Sequence, residues 1–203
     1  MAVIEYFYAA HSAFAWIGSR RFMEIAAAAG RTIVHRPVDL RRVVAEAGAQ
    51  PFGKRSKAHG AYFFHREIDR WCEWRDVAWL GRIPTHHAND ITLPNCLLIA
   101  AMRAGLNIDV LAHSLLGAHW VNDADLADAA TLARLARGAG LDPEPLLEAA
   151  RAPETLADYA RYTQEAIDRS VFGSPTYVVD GDPFYGQDRL EMVERALQQP
   201  FRR

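Results

Sequence analysis

The feature that most constrains this chain is that its strand-like segments sit only at its two ends. Residues 3–8 are almost continuously apolar and rich in β-branched and aromatic side chains, which suits a strand covered on both faces. From Ala13 the apolar spacing becomes helical, through Phe14, Ile17, Met23 and Ile25 to Ala29, and Gly30 supplies a stop. Residues 32–38 follow as a second strand, so the chain opens with a right-handed βαβ unit. At the other end, residues 176–179 and 183–185 flank Asp180-Gly181-Asp182, a turn signal that makes them a β-hairpin. A last helix carries Leu190, Val193, Glu194 and Leu197 on one side, with Asp188 placed to cap its start.

Residues 41–170 lie between these ends and are dominated by Ala, Leu, Arg, Glu and Asp at helical spacing. Helices are expected over residues 61–75, 95–104, 108–120, 125–139, 143–151 and 153–170, with Asp109, Asp123, Asp142 and Glu154 near helix starts, where acidic groups are favoured. The order β-α-β, helices, β-β-α is that of an α/β chain with a thioredoxin-like fold. Residues 1–40 and 171–203 are expected to form the thioredoxin-like domain and 41–170 a large all-helical insertion. A chain of 203 residues has room for both and buries enough surface to need no disulfide staple. Cys72 and Cys96, the only cysteines, fall outside any redox or metal spacing and are read as buried thiols.

Composition narrows the function. With 50% hydrophobic and 24% charged residues the chain is neither disordered nor collagen-like. Its 23 basic and 25 acidic side chains give a formal net charge of −2, which provides no field to gather nucleic acid or an anionic membrane. Met1-Ala2-Val3-Ile4-Glu5 has no basic stretch before an apolar run, so the expected location is cytoplasmic.

The chemistry is expected where the first strand hands over to the first helix. The loop Ala9-Ala10-His11-Ser12-Ala13-Phe14 reaches the C-terminal ends of the parallel strands, where α/β folds bind ligands. Ser12 would place a hydroxyl beside the unpaired N–H groups of a helix start, a position that favours negative charge; a plain helix cap fits the same position. Pro175, in Phe172-Gly173-Ser174-Pro175-Thr176, opens a strand and faces that loop. About 5 to 6% of X-Pro bonds are cis. A cis bond here would leave the Ser174 backbone N–H and C=O open to an extended peptide. His86-His87 reads as a turn, since adjacent side chains diverge, and His119-Trp120 as packing among the helices. Tyr62, Trp71 and Trp74 read as an aromatic stripe, either core or the roof of a cleft suited to a flat aromatic substrate. Lys54-Arg55-Ser56-Lys57 reads as a solvated basic run.

Ile4-Glu5-Tyr6-Phe7-Tyr8 followed by Ser12, Gly173-Ser174-Pro175-Thr176, and Phe184-Tyr185-Gly186-Gln187-Asp188-Arg189-Leu190 together resemble the 2-hydroxychromene-2-carboxylate isomerases. The resemblance extends to their relatives the kappa-class glutathione S-transferases, DsbA-like thioredoxin folds with a helical insertion. It implies glutathione as cofactor. Ser12 stands where those proteins bond the glutathione sulfur, and Ala15 stands for the second redox cysteine, so dithiol chemistry is unavailable there. By the same resemblance Ser174, ahead of a cis Pro175, pairs with the cysteinyl backbone, and Gln187 and Asp188 receive the γ-glutamyl end. The pattern is broken at Ala13, where the family has proline, and in Gly48-Ala49-Gln50-Pro51, where Ala49 replaces a glutathione-contacting Asn; His59 or Lys57, ahead of Tyr62, is left to meet the glycyl carboxylate. The implied activity is isomerisation, in which an activated glutathione thiolate adds reversibly to an aromatic unsaturated 2-oxo acid from aromatic-ring breakdown. A kappa-like transferase and a non-catalytic peptide-binding module are the alternatives. The implied partners are a small aromatic substrate and a second copy of the chain in a homodimer, with neither nucleic acid nor membrane.

Overall fold

The computed structural model describes residues 2–50 and 52–202, the side chain of Phe52 excepted; Pro51 and the terminal residues 1 and 203 of the expected domain lie outside the described residues. The chain opens with β1 (Val3–Tyr8), α1 (Ala13–Ala28) and β2 (Thr32–Pro37) and closes with β3 (Thr176–Val179), β4 (Asp182–Tyr185) and α10 (Leu190–Gln198). Between them run α2 (Leu40–Glu46), α3 (Lys57–Ala61), α4 (Glu67–Arg75), α5 (Thr92–Arg103), α6 (Asp109–Asn122), α7 (Ala129–Gly138), α8 (Pro143–Ala150) and α9 (Pro153–Asp168). The four strands form one mixed sheet in the order β2-β1-β3-β4, with β1 parallel to β2 and antiparallel to β3. This is the thioredoxin-like α/β arrangement expected from the sequence, with the helices inserted between its halves.

The central strands are covered on both faces, which accounts for their unbroken apolar sequence. On one face Tyr6 stacks on Tyr177 across the β1–β3 pair at 5.4 Å, and Phe22 of α1 packs on both rings. On the other, Arg169 at the end of α9 holds Glu5 through two bonds of 2.7 and 2.8 Å and lies over the Phe7 ring. The same hydrophobic cluster continues into Leu97 and Ile99 of α5, Leu115 of α6 and Leu132 of α7, so sheet and inserted helices share a core. Each such buried side chain contributes about 1.5 to 3 kcal/mol. Asp180 and Gly181 both take positive φ, 49° and 89°, as a two-residue hairpin turn requires. Pro183 lacks a ladder donor but sits on the edge strand β4, where that costs little.

Several helix boundaries differ from the sequence reading, each for a local reason. α2 was not anticipated; its apolar Leu40, Val43 and Val44 occupy two turns, too short a pattern to stand out, and Asp39 starts it by accepting from the Arg41 and Arg42 N–H groups. The helix expected over 61–75 begins at Lys57, capped by Ser56, and passes through a π turn at Tyr62–Arg66. That turn shifts the aromatic stripe: Trp74 is 77% exposed and Tyr62 54%, while Trp71 packs with Ile68 and Cys72. α7 begins at Ala129 because Asp128, not Asp125, holds the first N–H groups, and Asp123 ends α6 in a left-handed conformation instead of starting a helix. Asp188 does not cap the last helix. It lies inside a 3-10 turn (Gln187–Arg189), its carboxylate turned back over Gly186 and paired with Arg189.

Cys72 and Cys96 are buried free thiols, pushed by burial up to about 12 and about 11. Among the described residues, no helix is long and apolar enough to cross a membrane.

Candidate functional site

The loop between β1 and α1 is tied down at every residue. Ala9 N–H donates to Ser174 Oγ, Ala10 N–H to the side chain of Asn95, and Ser12 N–H to the Ala9 carbonyl. The His11 carbonyl accepts from the indole of Trp120 at 2.9 Å. Asn95 and Trp120 belong to α5 and α6, so the inserted helices hold the loop as firmly as the sheet does. Ser12 takes the helix-cap role considered for it and makes one further bond within the fold. Its Oγ accepts from Ala15 N–H at 3.3 Å, capping α1, and donates to the Ser174 carbonyl at 3.2 Å. The Ser174–Pro175 bond is cis. The Ser174 carbonyl expected to stand open is therefore already engaged by Ser12.

Ser12 and Ser174 line a cavity of about 480 Å³, within the range of small-molecule sites. Its walls are mostly apolar, from Phe14, Leu40, Phe63, Phe64, Trp120 and Phe172, with Arg41 and Arg55 as its cations. Arg41 donates to the Ala88 carbonyl, and Arg55 lies over the Phe63 ring at 5.4 Å. The basic run 54–57 is thus only partly solvated, since Arg55 faces the cavity. Ala49 also lines it.

The other residues singled out from the sequence stand apart from this wall. His59 and Lys57 are exposed on α3, with the His59 ring edge-on to Phe63. Gln187 is buried, its Oε1 and carbonyl both accepting from Arg75. The contact with α1 is close: a Cβ on Gly18 would come within 2.7 Å of the Gln187 Cβ. Asp188 is outside the wall too, but its charge and that of Arg55 both act on Tyr185, which lines the cavity and is held above the usual phenol range by burial.

The site also contains a group that sequence spacing did not bring together. His11, His87 and His119 meet beside Ser12, with ring centroids of His11 and His87 4.9 Å apart and of His87 and His119 5.3 Å apart. His87 Nδ1 lies 3.0 Å from His119 Nε2. Burial holds all three below the usual imidazole range, His87 at about 4. Because these two nitrogens face each other, they do not converge on a common ion. Among the described residues no His, Cys, Asp or Glu group is arranged to hold a metal.

A family model for the DSBA-like thioredoxin domain matches residues 3–198. The chain belongs to the DsbA-like thioredoxin family. Among curated relatives of this DsbA-like chain, 2-hydroxychromene-2-carboxylate isomerase from Sphingobium xenophagum is 25% identical over 96% of this chain and 97% of its own length. A solved structure of 2-hydroxychromene-2-carboxylate isomerase superposes with a TM-score of 0.81 at 21% identity, covering 97% of this chain and 95% of that one. The cytosolic disulfide reductase DsbM from Pseudomonas aeruginosa with GSH has a TM-score of 0.67 at 16% identity, covering 98% of this chain and 93% of that one. In this DsbA-like chain, sequence reading missed the wall residues Leu40, Arg41, Phe63 and Phe64 among others, and took His87 only for part of a turn. The adjacent His119-Trp120 pair was the only hint, because Trp120 turned out to pin the loop that carries Ser12.

Proposed function

We propose that this chain is a glutathione-dependent isomerase of the 2-hydroxychromene-2-carboxylate type. The observation that carries the reading is the Ser12 hydroxyl, at the start of a 16-residue helix, facing the Ser174 carbonyl across 3.2 Å at the wall of a largely apolar cavity. The names of the curated relatives and the GSH in the DsbM structure point the same way.

The residues of the cavity fit an anionic thiol tripeptide in part. Ser12 is a donor at a helix start, suited to a thiolate, and Arg41 and Arg55 are suited to carboxylates. Gln187 gives its Oε1 and carbonyl to Arg75 and Asp188 pairs with Arg189, so among the described lining residues no acid stands ready for the γ-glutamyl ammonium. The aromatic walls from Phe14, Phe63, Phe64 and Trp120 suit a flat ring.

Glutathione, when bound, supplies a sulfur nucleophile that adds reversibly to the conjugated carbon of the substrate and so frees a double bond to rotate. Ser12 lowers the cost of keeping that sulfur ionised. A hydroxyl donating to an anion contributes about 1.5 to 3 kcal/mol, of which about 1 is offset by giving up the bond to the Ser174 carbonyl. The helix start adds about 0.3 to 1 kcal/mol, for a net lowering of roughly 0.6 to 2 pKa units from the free thiol value near 8.5. The test is turnover of 2-hydroxychromene-2-carboxylate with and without glutathione, in the wild type and in Ser12→Ala. Glutathione-dependent isomerisation that collapses in the variant is expected. Full turnover in the variant, or a stable thioether product, would overturn the reading.

A further inference from the structure

We propose that His87, in the cavity wall, and His119, buried behind it, form a proton-accepting pair, with His87 Nε2 as the atom that takes the proton of the ligand's thiol. This rests on the reading of the cavity as a glutathione site. The tautomers follow from the hydrogen-bond partners. The Ala124 carbonyl, 3.1 Å from His119 Nδ1, can only accept, so neutral His119 carries its hydrogen there. Its Nε2 is then a lone pair, into which His87 Nδ1 donates across 3.0 Å. His87 Nε2 is left without a hydrogen, on a ring that lines the cavity.

The surroundings set the direction in which a proton moves. Burial keeps each ring neutral in isolation, and Arg41 of α2 opposes a charge on His11 and His87. His119 differs: the Ala124 carbonyl and the Asp123 and Asp125 carboxylates favour its charged form, with His86 opposing. Trp120 packs edge-on against His87. His11 closes the other side; its Nδ1 is sealed from solvent without a partner, so it stays outside the hydrogen-bonded chain. A thiolate in the cavity supplies the counter-charge that makes an imidazolium tolerable there.

The step balances within the site. The S–H bond breaks and its electron pair stays on sulfur, an N–H bond forms at His87 Nε2, and the Nδ1 hydrogen of His87 passes to His119 Nε2. One negative charge appears on sulfur and one positive charge on the pair, resting on His119, where two carboxylates favour it.

The test reads the ring nitrogens directly, by 15N NMR of wild-type protein labelled at histidine, with signals assigned through His87→Gln and His119→Gln. Without ligand at pH 7, both rings are expected to be neutral and protonated at Nδ1. Saturating glutathione is expected to add one proton shared by the two rings, while S-methylglutathione, which has no thiol proton, leaves them neutral. In His119→Gln, whose amide accepts from His87 but cannot take a proton, the thiolate absorbance of bound glutathione should shift up by about one pH unit, a loss of roughly three- to eightfold in thiolate at neutral pH. S-methylglutathione affinity should stay unchanged. Neutral rings under calorimetrically bound glutathione, or an unprotonated Nδ1 on His87, would overturn the pair while leaving the glutathione site intact. Absence of any binding heat with glutathione would overturn the reading of the cavity, and the pair's thiol donor with it.

Discussion

The two sides of the cavity are built differently. On the Ser12 side, residues 9–12 have backbone bonds to Ser174, Asn95 and Trp120, and the side chains involved are buried. On the opposite side, α3 and the π turn contribute no buried residue, yet they carry Phe63 and Phe64 to the cavity, with Arg55 just ahead of them. The first wall is over-determined, which is what the charge-stabilising role proposed for Ser12 requires. The second is held by few contacts and is the side able to adapt to a ligand's shape.

That contrast can be broken by mutation. Trp120→Ala removes a buried ring and the bond to the His11 carbonyl, and should cost about 3 to 5 kcal/mol in denaturant unfolding. Asn95→Ala leaves the Ala10 N–H, the Val38 carbonyl and the Tyr159 hydroxyl without their partner, for about 2 to 3 kcal/mol by the same measurement. Acid should act on the same wall. His87 has its folded pKa lowered to about 4, so below its unfolded value near 6.5 the unfolded chain binds the extra proton; its contribution is complete above about 6.5 and lost as pH falls toward 4. In His87→Gln the pH dependence of stability across that window should flatten by up to about 1.4 kcal/mol per pH unit, measured by unfolding at stepped pH. Phe63→Ala, on the other wall, should cost under about 1 kcal/mol of stability while weakening ligand binding seen by calorimetry. A cost equal to that of Trp120→Ala would erase the distinction between the walls.

What was legible in the sequence was local or followed from element order. The apolar run 3–8, the Asp-Gly turn and the helix from Ala13 rest on neighbours in the chain, and their order sufficed to set Ser12 against Pro175. What was not legible depends on long-range contacts. His11, His87 and His119 come from three separate segments. Gln187 turns inward because Gly18 lets the 3-10 turn close onto α1 and Arg75 reaches it, neither of which is visible in the motif that contains it. The π turn at Tyr62–Arg66 replaced Tyr62 and Trp74 by Phe63 and Phe64 as cavity aromatics, an offset that regular helical spacing does not anticipate.

The most direct check on the role given to residue 12 is the ultraviolet absorbance of the glutathione thiolate, followed across pH with saturating wild-type protein and with Ser12→Ala. The account predicts a titration midpoint at least roughly one unit below that of free glutathione in the wild type, and a rise of roughly one unit in the variant, which keeps the helix start and the histidine pair. Coincident curves for the two proteins would contradict it.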